Sequence, residues 1–184
     1  SNKYGVDVVI ESLQQNWYSK LLTKWLGTAN YECYPRANKL ISEDGEGNEL
    51  ILPELSTDQT ESIEVLFNDN HAVTSFFLDS DSGTLDDKTD QITQSVSIIF
   101  QVQLNKVYTS AERLDERFNT DVLNVLKKQV QYKYGSIEIE KGIRKVYDDL
   151  TFSKEFKDKI KFNDIGNKHV VKFTFDVVYG CCNC

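Results

Sequence analysis

Residues 95–130 join a strand pattern directly to a helix pattern, and this pair constrains the fold more than any other stretch. Apolar residues alternate with mostly Ser and Gln at Val96, Ile98, Phe100, Val102 and Leu104. This is the period of a strand with one apolar face and one face in water. Thr109 then precedes Glu112 by three positions, a spacing that satisfies free amides at a helix start. The helix predicted to follow has apolar residues three and four positions apart, at Leu114, Phe118, Val122, Val125, Leu126 and Val130.

A second strand pattern and a second helix pattern complete the predicted architecture. Near the C-terminus, apolar residues alternate again at Val171, Phe173, Phe175, Val177 and Tyr179. Near the N-terminus, they recur at steps of three and four at Val6, Val9, Ile10, Leu13, Trp17, Leu21 and Trp25. Two long strands with one wet face pair naturally in an antiparallel sheet whose apolar face lies under helices. We therefore predict an α+β fold with a single antiparallel or mixed β-sheet, covered on one face by two amphipathic helices.

The shorter segments predict additional strands and turns. Residues 30–34 and 49–52 each precede a proline, and together they predict a hairpin whose exposed, projecting tip is the turn-rich stretch 43–49. Residues 137–147 predict a strand through Ile139, with a bulge or bend at Gly142. The chain has 184 residues, of which 40% are hydrophobic, and this is the size of one ordinary core. We therefore predict a single domain over residues 1–184.

A polar stretch at residues 79–94 separates two apolar runs. Structureless loops of this length are uncommon in compact domains and tend to be functional or disordered. We interpret the stretch as a projecting loop or hairpin, and its acids as an oligomer interface or channel lining: Asp79, Asp81, Asp86, Asp87 and Asp90. Tyr18 and Leu22 form a second apolar row on the first helix. This row is predicted either to meet another subunit or to lie wholly under the sheet.

The charge and the motifs of the chain point away from several function classes. The net charge is −8, and the pI is about 4.8. Unselective attraction to nucleic acid or anionic lipid is therefore not expected, and the sequence has no apolar run near the ~18 residues of a membrane span. It contains no Gly-x-Ser-x-Gly elbow, no Gly-rich phosphate loop and no His-Glu-x-x-His pair. We predict neither an enzyme nor a cofactor.

Two groups of residues leave a metal site as an alternative. Asp79, Asp81 and Gly83 resemble part of a calcium loop, but the glycine comes one residue early and the closing glutamate is missing. The four cysteines, Cys33, Cys181, Cys182 and Cys184, would supply zinc ligands if the terminal strand runs beside residues 31–34. Adjacent cysteines strain a shared tetrahedral site, so the sequence favours free thiols in a reducing compartment.

Several short motifs in the first 80 residues carry a family resemblance. They are Lys3-Tyr-Gly-Val-Asp7, Cys33-Tyr-Pro-Arg36, Glu64-Val-Leu-Phe-Asn-Asp69 and Ser75-Phe-Phe77. These motifs resemble a virion structural protein of crAss-like tailed bacteriophages. The order of predicted elements is also similar to the head-to-tail joining and tail-terminator proteins of tailed phages, a likeness of topology alone.

The resemblance implies a homo-oligomeric ring in the neck or tail of the virion. Such a ring joins the portal to the tail and lines or surrounds the DNA channel. Its partners would be copies of itself, the portal, neck and tail proteins, and double-stranded DNA that passes through without specific binding. It would involve no membrane, and assembly would take place in the cytoplasm of the bacterial host. The sequence leaves two alternatives open, a tail-associated binding or adaptor module and a metal-binding protein or metal-dependent enzyme.

Overall fold

A computed structural model describes residues 3–25, 30–43, 45–56, 62–65, 70–109, 113–128, 135–149 and 167–180. In this part of the chain the helices are α1 (Val6–Lys24), α2 (Leu104–Val107), α3 (Leu114–Leu126) and α4 (Ile143–Asp149). The strands are β1 (Tyr31–Arg36), β2 (Asn38–Glu43), β3 (Glu49–Ser56), β4 (Ser62–Glu64), β5 (Val73–Asp86), β6 (Gln91–Gln103), β7 (Glu138–Lys141) and β8 (Lys168–Gly180). The predicted α+β class is confirmed.

The main sheet has five strands in the order β1-β5-β6-β8-β7. All neighbours are antiparallel except β1, which runs parallel to β5, so the sheet is mixed. The two long strands predicted from alternation, β6 and β8, pair along their whole length, with Gln91 opposite Gly180 and Gln103 opposite Lys168. The prediction that these strands pair antiparallel is therefore confirmed.

One face of this sheet lies under α1 and α3, as predicted. Both helices bury their apolar stripes against the even-numbered residues of β6 and the odd-numbered residues of β8. The Trp17 ring stacks on the Phe77 ring, with 5.5 Å between the ring centres, and meets the Phe175 ring edge-on, with 5.7 Å between the centres. Trp25 stacks on Phe118 of α3 at 5.3 Å. Burying an aromatic side chain of this kind contributes on the order of 2–3 kcal/mol, so these contacts fix the helices to the sheet.

The opposite face of the sheet is also covered, which corrects the prediction of a single sheet with one wet face. A second sheet of three strands, in the order β2-β3-β4, packs there together with α4. Ile99 on this face is fully buried, and Gln101 is buried with its side-chain oxygen accepting a hydrogen bond from Tyr147 of α4. The consecutive apolar residues 98–100 are the sequence signal for this second layer, since a strand that buries both faces carries apolar residues at both parities.

The predicted hairpin of residues 30–34 and 49–52 is wrong in its pairing. β3 pairs with β2, a strand that the sequence did not predict, and β1 joins the main sheet beside β5. The turn between β2 and β3 falls in the predicted tip, residues 43–49. Neither proline ends its strand. Pro35 lies on β1 at the edge of the main sheet, where a missing N–H is tolerated, and Pro53 lies opposite Lys39 within β3.

The start of α3 and the second half of the strand predicted over residues 137–147 also differ from the predictions. α3 begins at Leu114, and its N-cap residue is Arg113, which has φ of 37° and makes no side-chain capping bond, so Thr109 is not the N-cap of this helix as predicted. Residues 110–112 and Val130 lie outside the described ranges. The strand predicted from residue 137 ends at Lys141, Gly142 turns the chain with φ of 96°, and α4 follows. Ile143, Val146 and Tyr147 have helical spacing and pack against the second layer.

Candidate functional site

The polar stretch at residues 79–94 is a hairpin that extends the main sheet. Beyond an irregularity, Gly83 lies opposite Gln94 and Asp86 lies opposite Gln91, and a short turn joins the two strands. The turn is closed by the Lys88 amide, which donates to Asp86 Oδ1 at 3.0 Å. We call residues 79–95 the arm. Residues 80–91 are all exposed, so this part of the sheet extends beyond the packed core.

The last residues of β8 run beside the arm as a third strand. Ile92 lies opposite Tyr179, and Ser95 lies opposite Asp176, whose Oδ1 accepts a 2.7 Å hydrogen bond from the Ser95 hydroxyl. The N-terminus of α1 lies beside this third strand, because a Cβ built on Gly5 would lie 3.8 Å from Cε2 of the Tyr179 ring. The arm therefore leaves the body at the N-terminal end of α1.

A bulge marks the point where the arm leaves the sheet. Between Asp79 and Gly83, β5 gains residues that have no counterpart opposite them on β6, and Asp81 takes φ of 57°. Aspartate tolerates this left-handed conformation better than most residues do. A Cβ on Gly83 would lie 3.1 Å from Ile92 Cγ2 and 3.3 Å from the Thr93 carbonyl oxygen, so the two strands approach closely because residue 83 is glycine.

A chain of hydrogen bonds fixes the base of the arm to the rest of the protein. The Tyr179 hydroxyl donates to Gln94 Oε1 at 2.7 Å, and Gln94 Nε2 donates to Asp79 Oδ2 at 2.9 Å. Arg36 of β1 approaches the other oxygen of Asp79 at 3.5 Å and binds Asp7 of α1 with two nitrogens, at 2.7 and 2.9 Å. The hydrogen bonds to Asp7, together with the charges of Asp7 and Asp79, raise the pKa of Arg36 above its ordinary value. Asp79, predicted as an interface or channel residue, is therefore engaged within the chain.

The other predicted acids of the arm face solvent. Asp81, Asp86, Asp87 and Asp90 are exposed, and Lys88 is the one base among residues 79–95. Leu85 is 53% exposed and lies opposite Ile92. Leu85, Ile92 and Tyr179 line one side of an open cavity of about 480 Å³. The outer part of the arm therefore presents an apolar side chain within an acidic surface.

Tyr18 and Leu22, the predicted second interface row, are not part of this surface. Tyr18 is 38% exposed and stacks on Tyr31 of β1 at 5.4 Å. Leu22 is partly buried and packs against the main core. The two residues lie on the half of α1 that is distant from the arm.

A second surface, which the sequence did not predict, lies at the opposite end of the main sheet. A cavity of about 370 Å³ opens there between the end of α1 and the start of α3, lined by Lys24, Trp25, Val107, Tyr108, Thr109, Arg117 and Asp121. The Arg117 guanidinium lies 4.5 Å above the centre of the Tyr108 ring. Lys24 Nζ lies 3.3 Å from Asp121 Oδ1, and the Tyr108 hydroxyl donates to Asp121 Oδ2 at 2.6 Å. Burial and this hydrogen bond raise the pKa of Tyr108.

We call this end of the molecule the basic pole and define it by four exposed side chains: Lys24, Lys106, Arg113 and Arg117. These residues come from α1, α2 and the start of α3, so no run of basic residues in the sequence reveals them. β6 leads from the arm to α2 over 13 residues. At about 3.3 Å per residue, the turn of the arm and the basic pole are about 40 Å apart.

Among the described residues, the structure does not bring together the ligands of either predicted metal alternative. Cys33 is buried on β1, and burial raises the pKa of its thiol. β8 is separated from β1 by β5 and β6, so the condition for a shared zinc site is not met by the described strands. Cys181, Cys182 and Cys184 lie outside the described residues. Within the described ranges, no three His, Cys, Asp or Glu side chains are grouped closely enough to hold a metal ion.

Comparisons with known proteins give no match. No family model, no curated protein and no solved structure matches this chain. No helix in the described ranges has both the length and the apolar character to cross a membrane.

Proposed function

We propose that this chain is a virion structural protein that assembles with copies of itself into a ring in the neck or tail of a tailed phage. The ring joins the portal to the tail and surrounds the DNA channel. The observation that carries the proposal is the arm, a three-stranded extension that leaves the helix-covered body and ends in exposed acidic and apolar side chains. A projection of this kind is suited to contact a neighbouring molecule.

The way the arm is held supports a role in binding. Binding with a flexible loop costs conformational entropy, because the loop must be ordered when the contact forms. Hydrogen bonds from Tyr179, Gln94 and Arg36 hold the base of the arm against β8, β1 and α1 before any partner arrives. Less free energy is then lost on association.

Three of the four motifs that resemble crAss-like phage structural proteins meet at one corner of the molecule. Asp7 of the first motif binds Arg36 of the second motif through two hydrogen bonds. Cys33 and Arg36 lie opposite Ser75 and Phe77 in the parallel pairing of β1 with β5. These three motifs together form the corner from which the arm extends. Their proximity supports the idea that the resemblance reflects a shared structural unit.

The charge of the chain is compatible with a DNA channel. Because the net charge is −8, a ring of many copies is strongly acidic as a whole. Proteins that hold the DNA backbone do so with clustered Lys and Arg, and an acidic ring lacks this attraction. In the proposed ring, DNA passes through without specific binding.

A tail-associated adaptor is the second candidate function. It is favoured by exposed apolar side chains on the smaller sheet, where Ile41 is 65% exposed and Ile63 is 49% exposed. Their partners on β3, Ile51 and Leu55, are four residues apart, so Ile41 and Ile63 lie on the same face. An adaptor would use this face to bind another tail protein and would have no need to close into a ring.

Negative-stain imaging of the purified chain distinguishes the two candidates. A ring protein gives closed particles whose symmetry can be counted, either alone or after addition of the portal, neck and tail proteins of its phage. An adaptor gives small particles and binds those proteins without closing into a ring. Small particles under both conditions, with no binding to any of the virion proteins, would overturn both candidates.

A further inference from the structure

We propose that the arm of one protomer binds the basic pole of the next, with Leu85 entering the cavity beside Arg117. The proposal rests on the proposed self-assembly and specifies which two surfaces form the contact. It also assigns the exposed acids of the arm to a neighbouring copy of the chain rather than to the lining of a channel.

The charges of the two surfaces are complementary. The exposed arm carries four aspartates and one lysine, while the basic pole presents Lys24, Lys106, Arg113 and Arg117. Lys24 lies 3.3 Å from Asp121 and Arg113 lies 3.5 Å from Asp115, so the four bases exceed these two acids by two positive charges. Among the described residues, Arg117 has no carboxylate partner and stacks only on Tyr108. Two copies of a chain with a net charge of −8 repel each other at long range. A stable contact between copies therefore needs a local region of opposite charge, and the pole supplies one.

The shapes of the two surfaces also fit each other. Leu85 lies on the arm and is 53% exposed, so its side chain is accessible to another molecule. The cavity of the pole has an apolar floor formed by Trp25, Val107 and Tyr108, and its volume of about 370 Å³ is sufficient for a leucine side chain. Lys24 and Arg117 border the cavity and would face the aspartates beside Leu85.

The occupant of the cavity must come from another molecule. The arm is an extension of β5 and β6, and its base is bound to Arg36 and Tyr179. The cavity of the same chain lies about 40 Å away along β6, so the arm cannot fold back to reach it. Because the arm and the pole are different surfaces, repeating the contact adds copies head to tail. Such a contact produces a closed ring when its rotation closes, and a filament when it does not.

The test uses charge reversal on each surface of the purified chain. The arm variant combines Asp87→Lys, Thr89→Lys and Asp90→Asn, because asparagine tolerates the positive φ of residue 90. The pole variant combines Lys106→Glu and Arg117→Glu. A matched control carries Glu43→Lys and Glu49→Lys at the exposed ends of β2 and β3, where the two residues pair beside the turn. Thermal melting confirms that each variant is folded, and light scattering measures its mass.

We expect the arm variant and the pole variant each to remain monomeric, and the control to assemble as the wild type does. An equimolar mixture of the two variants should assemble again, because each basic arm then meets an acidic pole and each acidic arm meets a basic pole. Folded variants that assemble separately, or a mixture that stays monomeric, would overturn the contact. If the folded variants assemble separately, only the contact is overturned, and the proposed ring stands. A wild-type chain that never assembles would overturn the proposed function itself.

A single substitution at Leu85 tests the same contact without charge reversal, so it does not depend on the folding of the charge-reversed variants. Leu85→Ser shortens a side chain that is 53% exposed and lies on the arm, outside the packed core, so it should lower the melting temperature only slightly. The concentration at half-assembly should rise by about tenfold or more, because one buried leucine is worth at least that factor in affinity. An unchanged assembly concentration would show that Leu85 does not enter a neighbouring cavity.

Discussion

Arg36 binds both carboxylate oxygens of Asp7, at 2.7 and 2.9 Å, and so joins the edge strand of the main sheet to the start of α1. The same guanidinium reaches Asp79 at the base of the arm, at 3.5 Å. Arg36 is therefore the residue through which the arm, the sheet edge and the first helix are held together.

Arg36→Lys should reduce the free energy of unfolding by about 1 kcal/mol, because lysine cannot reproduce the two parallel hydrogen bonds to Asp7. Urea denaturation measures the change. Lys3→Gln is the matched control, since Lys3 pairs with Glu11 at 2.9 Å in solvent and such a pair contributes about 0.5 kcal/mol or less. Equal effects of the two substitutions would contradict the structural role of Arg36.

The long amphipathic segments could be predicted from the sequence because their periods extend over many residues. α1, α3, β6 and β8 each carry an uninterrupted stripe of apolar residues, and burial of that stripe determines which face points to the core. The short strands were harder to predict because their pairing depends on distant partners. β1 joins β5 across the chain, whereas the local pattern favoured a hairpin with β3.

The candidate site was predicted only in part, for a similar reason. The acids of the arm are close together in the sequence, so their exposure on one projection could be expected. The basic pole is assembled from Lys24, Lys106, Arg113 and Arg117. These residues meet only because the end of α1, the short helix α2 and the start of α3 lie at the same end of the sheet. No local pattern contains that information.

Because a second layer covers the main sheet, a substitution on that face should cost stability, which a single sheet with one face in water would not show. Ile99 is fully buried under the smaller sheet and α4, so Ile99→Ala should lower the free energy of unfolding by about 2–4 kcal/mol. Ile41→Ala, at an exposed isoleucine of β2, should change it by about 0.5 kcal/mol or less. Denaturant titration of both variants measures the difference. A small effect at Ile99 would mean that this face of the main sheet is open to water.

His169 should make the stability of the protein depend on pH. It is buried at the start of β8, with Nε2 2.9 Å from Asn119 Oδ1, and burial lowers its pKa despite the nearby carboxylates of Asp115 and Glu116. The unfolded chain takes up a proton near pH 6.5, before the folded chain does. The stability linked to neutral His169 is therefore fully present above about pH 6.5 and is lost as the pH falls through the lower pKa of the folded state.

His169→Gln removes this titration and tests its sign. Between pH 7.5 and pH 5.0, the wild type should lose more free energy of unfolding than the variant does. Thermal or urea denaturation at the two pH values provides the comparison. Parallel losses in the two proteins would show that His169 does not contribute to the pH dependence.

If copies of this chain assemble with one another, the mass of the purified chain in solution, measured over a range of concentrations, must exceed that of one copy. The mass of one copy is 21.2 kDa. Light scattering coupled to size-exclusion chromatography should give a dominant species whose mass is a fixed multiple of this value. A mass of one copy at every concentration, with or without the portal, neck and tail proteins of the virion, would contradict the claim.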